Sequence, residues 1–98
     1  MSYKVTANID DGSDYFWHEE QSFEDYDDAY EFWDAYFPDE DDICKAIVKW
    51  QENATWDQDP DDYMLQIALW DEDGNELEFW NKGYTYDECK AHMKRRSA

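Results

Sequence analysis

Apolar and polar residues alternate at the start of the chain. Tyr3, Val5, Ala7 and Ile9 fall on one side and Lys4, Thr6 and Asn8 on the other, the period of a half-buried β-strand. Asp11-Gly12 supplies turn chemistry, and Tyr15-Phe16-Trp17-His18 resumes a strand toward Phe23. The segment predicts a hairpin with a loop longer than two residues. The period then changes. Tyr26, Ala29, Tyr30, Trp33, Tyr36 and Phe37 are spaced as one face of an α-helix, with Asp25 as its cap and Pro38 as its stop. Asp27, Asp28, Glu31 and Asp34 take the other face.

Beyond Pro38, the run Asp39-Glu40-Asp41-Asp42 reads as an exposed acidic loop. Residues 43–51 fit two periods: Ile43, Ala46, Ile47 and Trp50 suit a helix, while Cys44, Ala46, Val48 and Trp50 suit a strand. The β-formers Ile47, Val48 and Trp50, and the strands that follow, favour the strand. Asn53 to Asp62, with Pro60, reads as a loop. Tyr63–Trp70 and Glu76–Trp80 flank Asp73-Gly74 as a second hairpin. Thr85-x-x-Glu88 is a capping box with Tyr84 and Cys89 as its staple, and it opens a short helix bearing Lys90, Lys94, Arg95 and Arg96. The sum is one α+β domain over residues 1–98, in the order β-β-α-β-β-β-α. It has a twisted antiparallel sheet of about five strands with the aromatic helix on one face.

Charge changes this picture. The 98 residues hold 27 Asp and Glu against eight Lys and Arg, a net charge of −19. Between Val5 and Cys44 there are fifteen acids and ten aromatics with no base, and between Gln51 and Asn81 ten more acids with no base. Chains this acidic are commonly poor in aromatics and disordered, yet here aromatics are 19% of residues, six of them Trp. The combination predicts a folded body that holds carboxylates in fixed positions. It disfavours nucleic acid and anionic membranes as direct partners and favours basic proteins.

The other chemistries find little footing. Asp71-x-Asp73-x-Asn75 opens like a calcium loop but has Glu76 where the turn glycine belongs and Lys82 where the bidentate Glu belongs. Asp57-x-Asp59-x-Asp61 lacks the same two residues. Cys44, Cys89, His18 and His92 lack the close pairs zinc sites use. No nucleophile motif, phosphate loop or dinucleotide fingerprint is present, so neither an enzyme, a metal nor a cofactor is expected. The first residues carry no secretion signal and no apolar run reaches membrane-spanning length, which predicts a cytoplasmic protein with two free, partly buried thiols.

The remaining candidate is the carboxylate array. Asp27 and Glu31 are one helical turn apart, about 6 Å along the axis, and Asp34 extends the row. Asp28 flanks it, and Asp39, Glu40, Asp41 and Asp42 continue it. A second group comprises Asp57, Asp59, Asp61, Asp62, Asp71 and Asp73, with Trp56 as an exposed anchor among them. An acidic face commonly serves only solubility, but acids at i,i+4 repel, and this helix places no base among its own.

In length, acidity, aromatic content and lack of a catalytic motif, the chain resembles the small acidic phage-encoded proteins that inhibit host defence by mimicking DNA, among them anti-restriction and anti-CRISPR proteins. The resemblance is one of class and spans the whole chain. It implies a stoichiometric inhibitor, in the host cell cytoplasm, occupying the DNA-binding site of a defence nuclease or CRISPR effector complex. The basic run Lys94-Arg95-Arg96 would then turn away from the interface or pair with the protein's own acids. Two other readings stand beside it: an immunity or antitoxin-type protein neutralising a basic toxin, and an acidic, salt-adapted structural or adaptor domain. Exposed aromatics leave homodimerisation open.

Overall fold

A computed structural model describes residues 2–97, with the side chains of Arg96 and Ser97 lying outside the described set. The order is β1 (Tyr3–Asp10), β2 (Tyr15–Phe23), α1 (Tyr26–Ala35), α2 (Glu40–Asn53), β3 (Tyr63–Trp70), β4 (Glu76–Tyr84) and α3 (Tyr86–Ser97). The four strands form one antiparallel sheet in the order β2-β1-β3-β4. The α+β class holds. The sheet has four strands rather than five, because residues 43–51 are helical.

The reason lies at the start of α2. Asp39 is its N-cap and accepts from the Asp41 amide at 2.8 Å, so the acidic run is a cap and first turn, not a loop. Glu40, Asp41 and Asp42 then lie where the helix dipole favours negative charge. Ile43, Cys44 and Ile47 are buried while Asp42, Lys45, Lys49 and Glu52 are exposed, a helical alternation that outweighs the local strand preference. The first helix also ends earlier than its apolar period suggests. Tyr36 is extended (φ −77°, ψ 129°) and Phe37 precedes Pro38, a placement that disfavours helix. β4 continues four residues past Trp80, because Asn81–Tyr84 pair with Gln66–Tyr63.

Alternation along the strands settles the layers. Val5, Ala7, Ile9, Tyr63, Leu65, Ile67 and Leu69 are buried and point to the side on which α1 packs. A bulge opposite Ile9 turns both Phe16 and Trp17 toward the same core. Phe16 stacks on Trp50 of α2 at 4.7 Å, and Tyr63 and Tyr84 join Ile43, Cys44, Ile47 and Cys89 of the paired helices α2 and α3. All three helices therefore cover one face of the sheet. The other face, with Thr6, Asn8, His18, Gln66, Trp70 and Phe79, carries no helix among the described residues. The thiols of Cys44 and Cys89 are free and fully buried, and burial raises both above the ordinary thiol range. No helix among the described residues is long and apolar enough to cross a membrane.

Candidate functional site: two acidic poles joined by a helix

Strand register sorts the acids into two groups that sequence distance hides. β1 runs antiparallel to β2 and β3, so the turn after β1 and the loop before β3 meet at one end of the sheet. Asp10, Asp11 and Asp14 of that turn thus join Asp57, Asp59, Asp61 and Asp62. The approach is close: a Cβ added to Gly12, which sits at φ +96°, would lie 3.2 Å from the Asp62 carboxylate. Nothing local in the sequence signals this meeting; only the β1–β3 pairing creates it.

The pole is built around Asp11, which is only 5% exposed. Its carboxylate accepts from the Ser13 and Asp14 amides at 2.9 and 2.7 Å and from the Trp50 indole at 3.0 Å. Burial alone would raise its pKa, but these donors together outweigh burial and hold it below 3.8. The Gln58 amide donates to the Asp11 carbonyl at 2.9 Å, and the Trp56 indole donates to Gln58 at 3.1 Å. Trp56, half-exposed, meets Trp50 edge-on at 5.4 Å. These contacts anchor the 54–62 loop, where the Asp59 carboxylate accepts from the Asp61 amide and Asp57, Asp61 and Asp62 stay exposed.

The opposite end holds the second hairpin and the start of α1. The Asp71 carboxylate accepts from the Asp73 and Asn75 amides and from the Asn75 side chain, and these bonds lower its pKa. Asp71 therefore shapes the turn, leaving Asp73 and Glu72 exposed at the tip. Asp71 and Asp73 thus belong to a different pole from Asp57–Asp62. Asp25 caps α1 through the Asp27 amide at 2.9 Å, and Asp27 and Asp28 occupy its first turn. The Tyr26 and Tyr3 ring centroids lie 5.6 Å apart, so α1 begins beside β1 at this end. Glu31 and Asp34 continue along the exposed side of α1.

Of the Asp39–Asp42 run, Asp39 is spent on capping, and Asp41 is paired with His92 of α3. Glu40 and Asp42 stay exposed. Six of the eight bases, Lys45, Lys49, Lys90, Lys94, Arg95 and Arg96, lie on α2 and α3. Lys90 pairs with Glu52 across those helices at 3.6 Å, a surface contact that adds little stability but keeps cation and acid on the same side.

A depression of about 600 Å³ lies on the open sheet face, lined by Lys4 and Glu20, which pair at 3.1 Å, and by Asp71 and Glu72 of the second hairpin. Among the described residues no group of three or more His, Cys, Asp or Glu is placed to hold a metal ion. No family model, curated protein or solved structure matches the chain.

Proposed function

We propose that this protein is an acidic inhibitor that occupies the basic DNA-binding site of another protein in place of the duplex. The observation that carries the reading is charge per length. The molecule spans 43 Å along its longest axis and bears 27 carboxylic residues for a net charge of −19. A B-form duplex of that length carries about 25 phosphates, at one charge per 1.7 Å or so.

Fixed geometry supports the same reading. Capping and turn hydrogen bonds to Asp25, Asp39, Asp59 and Asp71 hold the acidic segments in place, so the carboxylates need little ordering on binding. Carboxylate and phosphate are both recognised by arginine forks. With most bases on α2 and α3, the reading puts the docking surface on the poles and the exposed side of α1. The targets that the class resemblance brings forward are a defence nuclease or a CRISPR effector complex.

The test is capture of a partner from host lysate on the immobilised protein, followed by elution with double-stranded DNA. Elution by duplex at moderate salt supports the reading, as does loss of the partner with Asp27→Lys/Glu31→Lys. A partner retained equally well in excess duplex overturns it.

A further inference from the structure

The aromatic stripe of α1 is wider than the core needs. Ala29, Phe32 and Trp33 face the sheet, but Tyr26, Tyr30 and the following Phe37 lie on a flank that stays partly exposed. That flank looks toward β4, because α1 packs mainly over β1, β2 and β3. A trough of about 360 Å³ results, walled by Trp33, Phe37 and Trp80, floored by Ile67, with Asp34 at its rim. Its walls are fixed. The Trp33 indole donates to the Ile67 carbonyl at 3.1 Å, and the Phe37 and Trp80 rings stand at 74° with centroids 5.9 Å apart. Phe37 and Trp80 nevertheless remain 43% and 40% exposed.

We infer that this trough is a receptor for an arginine side chain of the partner. Aromatic faces attract cations, and a guanidinium both stacks on rings and forks onto a carboxylate. Three rings and Asp34 line this one cavity, which brings both kinds of contact within reach of a single side chain. The chain already shows the affinity of this wall for a cation: its own Lys82 ammonium sits 5.8 Å from the Phe37 ring centroid and 4.8 Å from that of Tyr84. On the helix side the charge favours the same ligand, since α1 contributes acids and no base, while Lys82 borders Phe37 from β4. The inference rests on the proposed function only in taking the arginine to come from a phosphate-binding site.

The test uses the full-length, isotopically labelled protein and the blocked tripeptides acetyl-Gly-Arg-Gly-amide and acetyl-Gly-Lys-Gly-amide at constant ionic strength. The arginine peptide is expected to shift the Trp33 and Trp80 indole resonances saturably at millimolar concentration, and the lysine peptide several-fold more weakly. Trp80→Ala should weaken binding tenfold or more and the exposed, fold-neutral Asp34→Asn at least threefold, while Trp56→Ala at the far pole changes nothing. Shifts that do not saturate, or affinity unchanged in both Trp80→Ala and Asp34→Asn, overturn the inference. The two proposals fail separately. If the tripeptide saturates the trough but duplex DNA displaces no partner, the mimicry reading falls and the trough stands. If a DNA-displaced partner binds Trp80→Ala as tightly as the parent, the trough falls and mimicry stands.

Discussion

Among single residues, Asp11 does the most for the fold and the least for the surface. It is an acid in an acidic turn by sequence, yet it is buried and receives three donors. Asp11→Ala leaves those donors without their acceptor, and unpaired buried polar groups cost about 1–3 kcal/mol. A urea titration should show that loss, with Gly12 and the Asp57–Asp62 loop loosened together in amide exchange. The pH dependence follows from the lowered pKa. Asp11 contributes its stability fully above its unfolded value near 3.8 and loses it as pH falls through the lower folded value. Asp11→Asn should flatten that acid limb, a difference visible in denaturant midpoints measured between pH 5 and pH 2.

At the level of elements, the cap decides. Asp39→Ala removes the acceptor for the Asp41 amide and should cost about 1 kcal/mol, whereas Asp39→Ser should recover most of it. Thermal melts of the two variants separate this from a charge effect, since both lose the carboxylate. The same position explains what could be read in advance. Both hairpins, the first helix with Asp25 as cap, and the Thr85 capping box, whose hydroxyl accepts from Glu88 at 3.1 Å, all carry local signals and were legible. Residues 43–51 were not, because Ile47, Val48 and Trp50 satisfy both periods and tertiary burial of Ile43 and Ile47 broke the tie. Asp39 after a proline, followed by three acids, is nevertheless the signature of a helix start. The acids of the candidate site were legible as a list, but their grouping was not. Asp14 and Asp62 meet through strand register 48 positions apart, and Trp80 enters the trough only because it pairs with Ile67.

For the whole molecule, net charge governs behaviour. Self-repulsion at −19 opposes compaction, and the Debye length shrinks from about 30 Å at 0.01 M to about 10 Å at 0.1 M salt. The melting temperature should therefore rise over that range and level off well below molar salt, as a calorimetric series would show; a fold that appears only in molar salt would instead mark salt adaptation. The sheet itself ends in two open edges, β2 and β4. Unpaired edges are templates for further strands, and here Glu19 and Glu20 on one edge and Glu76 and Glu78 on the other guard them with negative charge. That guard is titratable. Near the sequence pI of about 4.1 the mutual repulsion between copies vanishes, so light scattering and thioflavin fluorescence should rise there and subside again at neutral pH. The charge that would let the protein pass for a polyanion is thus also what keeps its copies from growing into one continuous sheet.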